Sequence, residues 1–197
     1  MIEVRELCVC HGGQTILQNV SFSVDRGHAA ALVGANGSGK STLLSVLAGS
    51  IAPSGGTVSL GGKVAYLPQE NALIEELTFA DNLRFFAALA GAKVPKTLPF
   101  GTESLRKKRI AHMSGGQKRL CSIVCTLLTD ADIYLFDEPC AALDTEHRET
   151  VLAHVRDMVQ AGKTVLYVGH DPAEYAFCDT VLTVEDTTVK VREESYV

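Results

Sequence analysis

The 197-residue chain carries 18 Lys and Arg against 23 Asp and Glu, a formal net charge of −5, which excludes the strongly basic character of a protein whose main partner is duplex nucleic acid. No apolar run reaches the ~18 residues needed to cross a bilayer, and "MIEVRELCVC" lacks the basic-then-apolar order of a signal peptide. The sequence therefore reads as cytosolic: one domain, or one domain with a lobe, long enough to bury roughly 70% of its unfolded surface. Six cysteines, at 8, 10, 121, 125, 140 and 178, include no CxxC pair and are read as small buried thiols. Cys8 with Cys10, and Cys121 with Cys125, would each share a face of one element, so a metal site stays conceivable.

In chain order, "IEVRELCV", "ILQNVSFSV" and the apolar "AAALVG" read as strands, the alternation in "VSFSV" suggesting a half-buried antiparallel one. A helix is expected from Lys40 to about Ala48, stopped by Gly49, followed by a turn at "PSGG" and strands "TVSL" and "KVAYLP". From about Glu70 the character becomes helical: Phe79, Leu83, Phe86 and Ala90 in "FADNLRFFAALAG" recur at helical spacing. A break, "AKVPKTLPFGT", precedes an expected basic helix with the run Arg106 to Arg109 on a solvated face. A glycine turn then opens the helix "GQKRLCSIVCTLL", whose buried stripe would be Leu120, Val124, Leu127 and Leu128. Buried-strand character returns in "DIYLFDEP", then a helix from about Thr145 to Gln160, then "TVLYVGHD" and "TVLTVEDTTVKVR". Apolar runs alternating with helices indicate a parallel α/β sheet covered on both faces.

"GANGSGKST" matches the phosphate-loop pattern at Gly34, Gly39, Lys40 and Ser41, after an apolar strand and before a helix. Its glycines let backbone N–H groups converge on a triphosphate, Lys40 adds a point charge, and the Ser41 hydroxyl can ligate Mg²⁺. In "IYLFDEP", Asp137 and Glu138 end a buried strand, where open α/β sheets bind ligands. Neighbouring strand residues point to opposite sides, so Asp137 can reach the Mg²⁺ region while Glu138 faces an attacking water as general base. Gln69, after "VAYLP", could reach the metal or the water; His170, after "TVLYVG", could contact the terminal phosphate.

The order GANGSGKST, YLPQ, MSGGQ, YLFDEP, AALD, VGHD resembles the ATP-binding cassette subunit of an ABC transporter over nearly the whole chain. The resemblance implies a P-loop NTPase fold: a RecA-like core (1–69 and 131–197) with an N-terminal antiparallel β subdomain, and a helical subdomain inserted at 70–130. It implies a head-to-tail dimer, homodimeric or with an unlike cassette, closing over two ATP with Mg²⁺. Nucleotide would be bound by Gly34, Asn36, Gly37, Ser38, Gly39, Lys40, Ser41 and Thr42, and across the dimer by Ser114, Gly115, Gly116 and Gln117, with Asp144 speaking across the interface. Ser41, Gln69 and Asp137 would serve the metal; Gln69 would couple the site to the lobe, Glu138 would activate water and His170 would position the γ-phosphate. His11 stands where the family usually has the aromatic ring that stacks on adenine, Met113 replaces the usual leucine, and Ala141 replaces a common serine. The expected partner is an integral membrane permease, with the chain peripheral on the inner face of the cell membrane. "LIEELTFADNLRFFAALAG" resembles the matching stretch of cassettes that power exporters; an importer cassette, or a soluble clamp acting on ribosomes or DNA, is the alternative.

Overall fold

Alternating and continuous apolar segments sort into two different sheets. In this computed structural model, which describes residues 1–192, the first elements are β1 (Ile2–His11), β2 (Gln14–Val24), β3 (Ala29–Gly34), α1 (Lys40–Leu47), β4 (Gly55–Leu60) and β5 (Val64–Leu67). After these come α2 (Phe79–Ala90), two 3-10 helices (Pro99–Leu105 and Ile110–His112), α3 (Gly115–Leu127), β6 (Ile133–Asp137) and α4 (Thr145–Gln160). The chain continues through β7 (Thr164–Val168), the short α5 (Pro172–Tyr175), β8 (Thr180–Glu185) and β9 (Thr188–Arg192). Among the described residues no helix is long and apolar enough to cross a membrane.

The alternating strands form an antiparallel sheet in the order β2-β1-β4. Ile2 lies opposite Val24 and Val4 opposite Phe22, and the register slips between Val4 and Leu7. That bulge, with Glu6 at φ 49°, returns Leu7 and Val9 to the buried face that Ile2 and Val4 began. The apolar strands form the second sheet, in the order β5-β6-β7-β3-β8-β9, parallel up to β8. One face, with Leu32, Leu135, Leu166 and Leu182, packs on the antiparallel sheet and α1; the other, with Ala31, Phe136, Val165 and Tyr167, packs on α3 and α4. Burial on both faces explains why these strands read as continuous apolar runs.

Four sequence expectations are revised. "TVLTVEDTTVKVR" is two strands, because Asp186 (φ 47°) and Thr187 (φ 65°) make a tight hairpin turn and bring β9 back antiparallel to β8. The basic run does not form a helix. Its carbonyls are taken by the N-terminal turn of α2: Phe79 N donates to Lys108 O at 3.0 Å and Ala80 N to Arg106 O at 2.9 Å, while Arg109 bridges Thr78. Cys10 is exposed and Cys8 half-exposed, whereas the other four cysteines are buried. Leu127 is only half-buried, and α3 is buried more widely than one stripe. Leu120 and Ile123 face the sheet; Cys121, Val124, Cys125 and Leu128 join Leu73, Phe79, Leu83 and Ile110 in a separate core under α2.

Candidate functional site: the strand ends and the second glycine turn

Parallel pairing carries the C-terminal ends of β3, β5, β6 and β7 to one edge, where a doubly covered sheet binds ligands. At the end of β3 the chain turns through Gly34, Gly37 and Gly39, all at positive φ, and enters α1 at Lys40. Gly34 is required by space as well, since a Cβ there would stand 2.5 Å from Val184 O. Lys40 is 6% exposed, and its Nζ donates to Gly34 O and Ala35 O at 2.9 Å each. Asn36, Gly37, Gly39, Lys40, Ser41 and Thr42 share a cavity of about 430 Å³ with Gln69, Glu138, His170 and Ile16.

Under this cavity Asp137 is 1% exposed. Burial pushes its carboxyl above the usual carboxylate range, and the neighbouring Ser41 hydroxyl draws it back. Neither Asp137 oxygen has a hydrogen-bond partner, and neither does the buried Ser38 Oγ. Native interiors leave few such groups unpaired. Two orphaned carboxylate oxygens beside a serine hydroxyl are hard oxygen donors, the ligand type a magnesium ion takes, so the residues present fit that ion. Glu138 leaves the strand at φ 50°, held by its N–H donating to Val168 O at 3.1 Å. Because β7 lies between β3 and β6, His170 falls between the phosphate loop and Glu138, with its Nε2 2.8 Å from Glu138 Oε1.

The second glycine turn is built by a capping box. Ser114 Oγ accepts from Gln117 N and Gln117 Oε1 accepts from Ser114 N, both at 3.3 Å, while Lys108 Nζ donates to Gln117 Oε1 at 2.8 Å. Gly116 packs on the loop after β6, where a Cβ would stand 2.9 Å from Ala142 O. Ser114 to Gln117 line a separate cavity of about 560 Å³ with Phe100, Leu143, Asp144 and His147. Asp144 caps α4, its Oδ1 accepting from His147 N at 2.9 Å and facing the His147 ring Nδ1 at 2.8 Å. Those contacts, the His147 backbone N–H first, hold the Asp144 carboxyl below its usual range. Most residues singled out in the sequence thus fall into two sets, with Gly34, Ser38 and Asp137 lying outside the linings of both cavities. His11 lines neither cavity, sitting exposed at the end of β1. Met113 is buried against Cys121 in the core under α2.

Sequence reasoning missed Arg119, a charged residue inside an apolar helix that is 2% exposed and bonded to the turns carrying Gln69 and Glu138. It also missed Asn82, fully buried, whose amide bonds Ile74 and Thr78 and pins the segment entering α2.

A glycine loop between β3 and α1, a buried lysine and strand-end carboxylates define a phosphate-loop nucleotide-binding domain. The family model for ABC transporter matches residues 17–141, and the chain belongs to that family. It is 36% identical over 172 residues to the cytochrome c biogenesis ATP-binding export protein CcmA of Roseobacter denitrificans, covering 86% of this chain and 84% of that one. To the linearmycin resistance ATP-binding protein LnrL of Bacillus subtilis it is 30% identical over 202 residues, 92% of this chain. The chain spans 65% of the length of LnrL. A solved structure described as the ATP binding subunit of an ABC transporter superposes with a TM-score of 0.91 at 30% identity, over 98% of this chain and 90% of that one.

Proposed function

We propose that the chain is the ATP-hydrolysing subunit of an ABC transporter, that two copies pair head to tail around two Mg·ATP, and that the pair drives a separate membrane permease in export. One observation carries the reading: Lys40, Glu138 and His170 meet in one cavity while Ser114 to Gln117 line another on the same chain. Each copy therefore holds both halves of a site, and two copies suffice for two complete ones. The phosphate-loop amides and Lys40 bind the β- and γ-phosphates, with Asn36, Ser38 and Thr42 completing the cradle. Ser41 and Asp137, with Gln69, would hold Mg²⁺, which when bound would supply charge neutralisation at the phosphates. Glu138 takes the proton of the attacking water on its carboxylate, and His170 orients that carboxylate and reaches toward the γ-phosphate. The partner's capped turn, Ser114 to Gln117, presents helix-terminal N–H groups to the same γ-phosphate, and Asp144 lies beside it at the interface.

The separate core under α2 supports a division into a nucleotide core, 1–69 with 131 onward, and a helical lobe, 70–130, as the surface that meets the permease at the inner face of the membrane; the last five residues of that division lie outside the described ones. Export as the direction is supported by the name of the similar CcmA, an ATP-binding export protein. Purification from detergent-solubilised membranes tests the proposal: an integral membrane protein should accompany the chain and raise its Mg·ATP hydrolysis. A chain recovered alone, with turnover indifferent to membranes, would count against it.

A further inference from the structure

Helix α3 carries one guanidinium into the interior, and every donor on it is used. Arg119 Nε donates to Pro139 O at 3.3 Å, Nη1 to Pro68 O at 2.7 Å and Gln69 O at 3.2 Å, and Nη2 to Glu138 O at 2.9 Å and to Asp137 O. Five N–H groups meet five main-chain carbonyls. Among the described residues no carboxylate side chain pairs with it. A buried cation with no carboxylate in direct contact persists only if its hydrogen bonds are saturated, and here they are. The five carbonyls belong to two stretches far apart in sequence: Pro68 and Gln69 follow β5, and Asp137 to Pro139 run from the end of β6 into the turn after it. A planar fork can face both at once, whereas the ammonium of a lysine offers three donors from one point.

We propose that Arg119 is a positioning residue that locks the turn bearing Gln69 and the turn bearing Glu138 to the helix that Ser114 begins, so that these parts of one chain move as a unit. The inference rests on the reading of Glu138 as general base. The left-handed backbone of Glu138, φ 50°, is strained for a residue with a Cβ and needs such support from its surroundings. Arg119 holds the carbonyls of Glu138 and of both its neighbours. It also sits two residues beyond Gln117, so any displacement of the Ser114 turn on meeting a partner's nucleotide reaches Glu138 through rigid helix and fork. The two cavities of one chain are thereby linked although no residue lines both.

The test compares Arg119→Lys, which keeps the charge and removes the fork, with Arg119→Met, which removes both. Displacing a catalytic group by about 1 Å costs on the order of a hundredfold, so Arg119→Lys should lose about that much in kcat. KM, and the Kd for Mg·adenylyl imidodiphosphate, should stay within about threefold, because Arg119 does not touch nucleotide. In a Glu138→Gln background the same substitution should cost nothing further, since it acts through Glu138. A wild-type kcat, a loss confined to KM, or an equal loss in the Glu138→Gln background would overturn the proposal. If neither variant folds, hydrogen exchange on the unaltered chain decides. On binding the same analogue, residues 68–70, 115–121 and 137–141 should gain protection together; protection of 137–141 with 115–121 unchanged would overturn it. An unaltered chain that does not hydrolyse ATP would sink the ATPase reading instead, and the exchange measurement would still judge the link.

Discussion

The two cavities built by glycine turns contribute different kinds of group. The one at the strand ends collects an ammonium, a carboxylate and an imidazole, those of Lys40, Glu138 and His170, around a loop of backbone amides, with the Asp137 carboxyl buried beneath it. The one at the second turn offers a capped helix N-terminus, and among the described residues Asp144 and His147 are the ionisable side chains on its lining. The first sets a carboxylate and an imidazole beside a phosphate loop; the second presents helix-terminal N–H groups to charge brought to it. On the function proposed above, a chain with both, sharing no lining residue, gives one half to its own nucleotide and the other half to a neighbour's.

The largest expected effect sharpens the chemical side of that contrast. Glu138→Gln removes the base and should lower phosphate release by about 10²- to 10⁴-fold while ATP-bound dimer accumulates; single-turnover kinetics with light scattering would read both. Unchanged turnover would break the assignment. Asp137 comes next. Its folded pKa is raised by burial, so between the unfolded and folded values the folded chain keeps a proton that the unfolded chain has lost. Stability of the nucleotide-free protein therefore falls as pH rises through that window, and the penalty remains at neutral pH. Asp137→Asn should leave the nucleotide-free Tm unchanged or higher at pH 7. The same variant should lose the Mg²⁺-dependent share of stabilisation by nucleotide, which totals about 2.7 kcal/mol at a hundred times Kd. Thermal melts with and without Mg²⁺ would check both signs, and a lowered nucleotide-free Tm would contradict the account.

Ser114→Ala probes the other cavity. Loss of the cap should cost about 1 kcal/mol of stability, a fall in Tm of roughly 2–4 °C, and should weaken ATP-driven pairing. Nucleotide affinity of the single chain should not change; weaker binding by a monomer would erase the distinction between the cavities. The smallest effect is expected from His11→Tyr, which restores a stacking ring at the end of β1. A gain of about 0.5–1.5 kcal/mol in adenine nucleotide affinity, read by calorimetry, would place His11 at the base, and no gain would remove it from the site.

Much of this was legible in the sequence because its physics is local. The phosphate loop declares itself through glycines and a lysine at fixed spacing, and the second glycine turn through its position just before a helix. Asp137 and Glu138 follow from an apolar run that stops at charge. What escaped depends on partners distant in the chain. The basic run 106–109 looked helical until the first turn of α2, some thirty residues earlier, took its carbonyls. Arg119 looked like one more basic residue because its acceptors lie 18 to 51 residues away. The β8–β9 turn carries no glycine to announce its positive φ.

Complementation between two defective chains tests the central claim most directly. Lys40→Ala disables the phosphate loop and Ser114→Arg blocks the second glycine turn, so each alone should be nearly inactive. Mixed, they form dimers in which one site pairs an intact loop from the Ser114→Arg chain with an intact turn from the Lys40→Ala chain. ATP hydrolysis by the mixture well above the sum of the two separate chains is the result predicted here. Hydrolysis no greater than that sum would contradict a site completed by a second copy.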